Sequence, residues 1–291
     1  MTFKEKIEAD QFVVTLEVEP PKGVSIQDRV TAIQPFRGKI DAYNATELQG
    51  SVMRMSSLGM CALLEREGYP TILQVTARDK NRLALQSELL SAYALGIRTI
   101  LALTGDHPTV GDHPDAKPVF DLDSVLIAQA AQMLNEGKDM AGNSLKNKPD
   151  FFIGAAANPF ATPLELELLK MKKKVAAGVR FFQTQPVFEP DIFKRFVQQA
   201  HAVVPQAKII AGLMFIKSEK MAQYINENIA GIHIPERIIQ RVRDAKDKKQ
   251  EAIALTAEIA QQIKTSASGF HLMPMGWEPQ ALELLPKIIL G

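Results

Sequence analysis

Apolar runs of strand length recur along the chain, and between them the apolar positions fall into helical spacing. The first run spans Phe12 to Glu19 and is closed by Pro20 and Pro21. Seven more cover Ile40–Thr46, Thr71–Ala77, Thr99–Leu103, Phe151–Ala157, Val179–Gln185, Lys208–Ile216 and Gly269–Met275. The spacing predicts helices over 27–34, 52–67, 81–95, 124–135, 163–177, 191–203, 219–226, 235–245, 248–264 and 279–285. Asp79 is placed to cap the helix at 81. Thr162 is placed to cap the helix opening at Pro163, and Ser218 the one opening at Glu219.

Eight strands alternating with helices, with runs apolar enough to be buried on both faces, predict an α/β chain. The fold expected is a (β/α)8 TIM barrel, as one domain over residues 1–291. The alternative is a doubly wound sheet, which usually carries a glycine-rich phosphate loop after its first strand. Pro20-Pro21-Lys22-Gly23 stands at that place, and no G-x-G-x-x-G or P-loop occurs anywhere.

Composition narrows the function classes. Of 291 residues 46% are apolar, enough for a large core, and the net charge of +1 argues against a nucleic-acid groove or a polybasic membrane patch. The single cysteine, Cys61, excludes an intrachain disulfide framework and any multi-cysteine metal or iron–sulfur site within the chain. Its helical surroundings predict a packed thiol. Met1–Asp10 alternates charge without the apolar core of a signal peptide, and no apolar run approaches the ~18 residues of a membrane span. A cytoplasmic protein is expected.

In such a barrel the chemistry gathers at the C-terminal strand ends. Those ends carry Glu17 and Glu19, Asn44 and Thr46, Gln74 and Thr76, Thr104 and Asp106, Asn158, Gln183 and Gln185, and His271 with Trp277. Glu17 and Glu19 share a face, because side chains alternate along a strand. A carboxyl group desolvated in an apolar pocket holds its proton to higher pH, which suits a general acid. From spacing alone, Glu17 and Asp106 read equally as catalytic groups or as partners in structural ion pairs. The run Lys170–Lys174 reads as a solvated helix face or as a contact to a phosphate-bearing cofactor. His107 and His113 sit in a repeated Asp-His-Pro, but no clustered ligand pattern supports a metal.

Three stretches in order carry a family resemblance. They are Thr15-Leu-Glu-Val-Glu-Pro-Pro21, Leu95 to Asp106 ending in Leu-Thr-Gly-Asp, and Lys172 to Gly178 followed by Phe182-Gln-Thr-Gln185. Together they resemble the flavin-dependent methylenetetrahydrofolate reductase family over nearly the whole chain. The resemblance implies reduction of 5,10-methylenetetrahydrofolate to 5-methyltetrahydrofolate. It implies Glu17 as general acid, Asp106 as the group beside flavin and substrate that steadies the iminium ion, and Gln185 as a pterin contact. Thr46, Gln74, Thr104, Gly105, Asp106, Asn158, Lys173 and Lys174 would hold the flavin, the two lysines near its phosphates. FAD is the cofactor implied, with FMN as the alternative.

The chain also departs from the family. Thr104 stands where many members have Arg, Gln74 where many have His, and Met221 where a folate-contacting Gln occurs. Leu272 to Glu278 replaces an aromatic segment with a substrate-contacting Arg and resembles clostridial and acetogen-type relatives. The donor implied is NAD(P)H or a partner subunit, in an oligomer or hetero-complex. A second reading is a flavin- or folate-binding electron-relay subunit served by an iron–sulfur or zinc partner. A third, a barrel aldolase, would need a Schiff-base lysine, for which Lys217 is the candidate.

Overall fold

In the computed structural model, which describes residues 1–229 and 231–289, eight parallel strands close into a barrel in sequence order. The strands are β1 (Val13–Val18), β2 (Ala42–Ala45), β3 (Thr71–Thr76), β4 (Thr99–Leu103), β5 (Phe152–Ala157), β6 (Phe181–Pro186), β7 (Lys208–Met214) and β8 (Gly269–Met273). β8 returns to β1 and closes the ring, with Thr15 opposite His271. The predicted (β/α)8 barrel is the observed fold.

The helices that cover it begin with α1 (Phe3–Glu8), α2 (Gln27–Ile33), α3 (Ser57–Arg66), α4 (Arg82–Ala94) and α5 (Ser124–Asn135). They continue with α6 (Leu164–Ala176), α7 (Pro190–Val203), α8 (Glu219–Asn228), α9 (Glu236–Asp244), α10 (Lys248–Ile263) and α11 (Glu278–Ile289). Outward strand residues such as Leu16, Val75, Ile100 and Phe182 meet the helices in one large apolar cluster. Inward residues build a second cluster, which is why the strands read as apolar on both faces.

That inner cluster fills the N-terminal half of the barrel with Val13, Ala42, Ile72, Leu101, Phe152, Phe181 and Ile210. α1 closes this end: Phe3 lies edge-on to Phe152 and Phe181, with ring centroids 6.0 and 5.3 Å away. The sequence reading did not predict α1, although Thr2 and Glu5 form a reciprocal capping box at its start. Gly154 makes room for the plug, since a Cβ there would lie 2.2 Å from Cζ of Phe181. With this end packed, the polar strand positions collect at the opposite, C-terminal mouth.

Several expected boundaries shift. Asn81, not Asp79, caps α4, accepting from the amides of Leu83 and Ala84, because the Asp79 carboxylate is engaged by Arg78. Thr162 does not cap α6. Pro163 is extended there and itself precedes the first helical residue, Leu164. α3 starts at Ser57, capped by Ser56, because Gln49–Ser51 forms a separate 3-10 turn. Ser218 caps α8 as expected, accepting from Met221. α11 runs past the predicted end at 285, and Ile288 is buried on its continuation. No helix among the described residues is long and apolar enough to cross a membrane.

Candidate active site

At mid-height the barrel interior turns from apolar to polar. Asn44 on β2 and Gln183 on β6 face each other across the lumen as a reciprocal amide pair, Nδ2 to Oε1 at 2.6 Å and Nε2 to Oδ1 at 3.2 Å. Gln183 Nε2 also donates to Thr15 Oγ1 at 3.2 Å, and Thr15 Oγ1 pairs with His271 Nδ1 at 2.9 Å. All four residues are buried, and their polar atoms satisfy one another, as buried polar groups must. One step nearer the mouth, Glu17 is 9% exposed, and its Oε2 lies 3.8 Å from His271 Nε2.

Glu17 and Glu19 separate in role at the strand end. Glu19 turns to the rim and pairs with Arg54 at 2.7 Å and with Arg29 at 3.9 Å. Glu17 stays in the barrel with no lysine or arginine paired to it among the described residues. Of the two carboxylates on this strand face, it is Glu19 that forms ion pairs with arginine.

Thr46, just after β2, and Gln74, within β3, occupy buried inward positions. The Thr46 hydroxyl is buried and has no hydrogen-bond partner. Such a group costs free energy unless a ligand meets it. Gln185 stands half-buried on β6, where the pairing with β7 shifts register between Gln183 and Pro186.

The loop after β4 carries Thr104, Gly105 and Asp106 to the same mouth. Gly105 has φ +88°, and a Cβ on it would approach Thr76 Cβ at 3.1 Å and Arg78 Cβ at 3.3 Å. The chain turns here in a conformation only glycine adopts without strain. Asp106 is exposed, and its carboxylate accepts from the Gly50 amide at 3.1 Å. Its carbonyl accepts from Ser51 Oγ at 2.9 Å and from Arg78 Nη1 at 3.2 Å. Thr104 is exposed. Asn158, at the end of β5, holds its own turn by accepting from the Phe160 amide at 2.9 Å.

Lys173 and Lys174 stand apart from this group, in the last turn of α6. Lys174 is buried between α6 and β5, and its ammonium donates to the Ala156 carbonyl at 2.8 Å. Burial pushes its pKa below the usual lysine value, with nearby Glu167 opposing the shift. Lys173 is exposed. Of the basic run, Lys170, Lys172 and Lys173 are open to solvent, while Lys174 braces the β5 end from behind.

Several functional-looking groups were not assigned by sequence reasoning. Arg78, just after β3, is buried and fastens Asp79, Ser51 and the Asp106 carbonyl at once. An arginine beside an aspartate at a strand end was the available signal. Glu47, next to Thr46, accepts from the Ser57 amide at 2.7 Å and from Lys80 at 3.1 Å, tying the β2 loop to α3. The Asp-His-Pro repeat is structural. His107 bonds Thr109, and His113 pairs with Asp112, which also binds Lys22 at 2.6 Å. No group of three or more metal-ligating side chains exists among the described residues. The Lys217 amine donates to the Met275 carbonyl and lies over the Trp277 ring, and burial pushes its pKa down.

The sequence profile of a family described as methylenetetrahydrofolate reductase matches residues 2–288. A probable methylenetetrahydrofolate reductase (NADPH) of Caenorhabditis elegans is 28% identical over 243 residues, which are 80% of this chain and 34% of that protein. The chain thus spans about a third of that relative's length. The 5,10-methylenetetrahydrofolate reductase of Escherichia coli is 24% identical over 264 residues, 87% of this chain and 81% of that one. An uncharacterised protein from Clostridium thermocellum that binds two copies of 5-methyl-5,6,7,8-tetrahydrofolic acid shares the fold. Its TM-score is 0.69 at 16% identity, with 98% of each chain covered.

Proposed function

The chain belongs to the methylenetetrahydrofolate reductase family, and from that premise we propose that it reduces 5,10-methylenetetrahydrofolate to 5-methyltetrahydrofolate with a bound flavin. The observation that carries the reading is the buried Glu17 carboxyl group at the barrel mouth, whose one basic neighbour among the described residues is His271. Reduction of this substrate requires its five-membered ring to open, and ring opening needs a proton on the leaving nitrogen. Glu17 supplies that proton from its buried position as the general acid.

The developing iminium cation is stabilised by the Asp106 carboxylate. Its orientation is fixed by the Gly50 amide and by the bonds that Ser51 and Arg78 make to its own carbonyl. Gln185, next to the lumen network on β6, orients the pterin by hydrogen bonding. The C. thermocellum protein of the same fold binds the methylated product of this reaction, which is in keeping with a folate substrate.

The residues fit a flavin. The unpartnered, buried Thr46 hydroxyl offers one hydrogen bond to a ligand, and Gly105 lets the β4 loop approach a flat ring closely. Gln74, Thr104 and Asn158 lie on strands or strand ends that open to this mouth, and Lys173, one of three exposed lysines on α6, is the cation proposed for the phosphates. When bound, a flavin supplies the hydride; the protein binds, orients and excludes water. FAD is the form proposed, with electrons from NAD(P)H or from a partner subunit.

The test is an anaerobic half-reaction on the purified chain. A flavin spectrum is expected, and the reduced protein should be reoxidised by methylenetetrahydrofolate. Failure of that reoxidation would sink the assignment. Glu17→Gln should keep the flavin bound and reducible while slowing the folate step by about 100-fold or more. Mass analysis of the released flavin distinguishes FAD from FMN.

A further inference from the structure

The lumen network does more than fill space, because the orientation of its amide pair sets the tautomer of His271. Asn44 donates to Gln183 Oε1, so the Gln183 amide nitrogen is the end that reaches Thr15. Thr15 Oγ1 therefore accepts from Gln183. A hydroxyl has one proton of its own to donate. Among the described residues the other partner of Thr15 Oγ1 is His271 Nδ1, at 2.9 Å. Donation from Thr15 to Nδ1 gives both the Thr15 hydroxyl and the Nδ1 lone pair a partner. Donation in the opposite sense would leave the Thr15 proton without an acceptor in a site 0% exposed. The bond at one ring nitrogen sets the state of the other, so Nε2 carries the imidazole proton. Nε2 is the ring nitrogen facing Glu17, at 3.8 Å, a small side-chain adjustment from a hydrogen bond.

We propose that His271 is a positioning residue for Glu17. Its Nε2–H is aimed at the Glu17 carboxyl group by Thr15 and the Asn44–Gln183 amide pair. It steadies the carboxylate that remains once Glu17 has passed its proton to the leaving nitrogen of the substrate. The proposal rests on the general-acid role given to Glu17 above. The proton moves from a Glu17 oxygen to the substrate nitrogen, and His271 stays neutral and keeps its own proton throughout. The strand residues opposite the pair are Asn44 to Glu17, and Thr15 and Gly212 to His271, with Gln183 bonded to Thr15, all of them uncharged. A neutral donor held beside a carboxyl group in such surroundings acts almost wholly on the ionised form.

Two measurements test this. In the full chain labelled with 15N-histidine, the His271 signals are assigned by their loss in His271→Gln. The expected long-range proton–nitrogen pattern near neutral pH is that of a neutral ring protonated at Nε2. A ring protonated at Nδ1, or an imidazolium, overturns the proposal. The second measurement compares His271→Leu, which fills the volume without a donor, with His271→Gln, which returns an N–H near the Nε2 position. Folate-driven reoxidation of the reduced flavoprotein should slow roughly 10- to 100-fold in His271→Leu and stay within about 3-fold of wild type in His271→Gln. Flavin content and donor-driven reduction should be unchanged in both. Equal slowing of the two variants assigns His271 a packing role and overturns the proposal. If His271→Leu does not fold, the ring protonation state in the wild-type chain decides. If wild type itself is not reoxidised by the folate, the proposed activity falls, and the ring protonation state still decides the geometry.

Discussion

Arg78 Nη1 donates to the main-chain carbonyl of Asp106 at 3.2 Å, and the same guanidinium is forked onto Asp79 at 2.8 and 2.9 Å. One buried cation thus couples the end of β3 to the loop that carries the proposed cation-stabilising carboxylate. Arg78→Met removes these donors and leaves the Asp106 and Leu48 carbonyls to find others. The expected cost is about 2–3 kcal/mol in urea unfolding, since Asp79 remains partly solvated. Arg78→Lys should recover only part of it, because an ammonium cannot form the fork.

Gly105→Ala is expected to lower stability by roughly 1–2 kcal/mol, from the positive φ and the 3.1 Å approach to Thr76 Cβ. Thermal unfolding measures this. The strain falls in the Leu-Thr-Gly-Asp turn, so flavin retention on gel filtration should weaken in the same variant. A stable protein with full flavin content would remove the close-approach argument.

Thr46→Val should move stability and binding in opposite directions. In the flavin-free protein the variant loses a buried, unpartnered hydroxyl and gains about 1 kcal/mol. Flavin affinity should fall about 5- to 10-fold, the value of one neutral hydrogen bond. Denaturant melts of the apoprotein and a flavin titration measure the two signs separately. Unchanged flavin affinity would exclude Thr46 from the cofactor site.

Cys61 lies wholly buried in α3, and burial pushes its thiol from 9.0 up to about 12. The folded chain therefore holds this proton more tightly than the unfolded chain. The associated stability is complete below about pH 9 and is lost as pH rises toward 12. At pH near 8 the native protein should not react with a thiol-specific reagent, and one equivalent should react on unfolding. Rapid native labelling would contradict the packed-thiol assignment.

The barrel was legible in the chain because its strands are buried on both faces and its helices on one, so each element leaves its own period in the sequence. Boundaries moved where side chains already had other partners, as when Asp79 was taken by Arg78 and Asn81 became the cap of α4. The plug helix α1 was missed because six residues are too few for a helical period, and only its capping box marked it.

The sequence by itself determined which residues stand at strand ends and which strand faces they share, because alternation along a strand is a local property. It put Glu17 and Glu19 on one face, and Thr104, Gly105 and Asp106 in one turn. Only the tertiary structure decided that Glu19 leaves for Arg54 while Glu17 meets His271, since ring closure brings β8 beside β1 across more than 250 residues of chain. Closure likewise set Asn44 against Gln183 across the lumen and turned Lys174 toward the back of β5. Contacts of that kind depend on the curvature of the whole barrel, and no local pattern of residues encodes them.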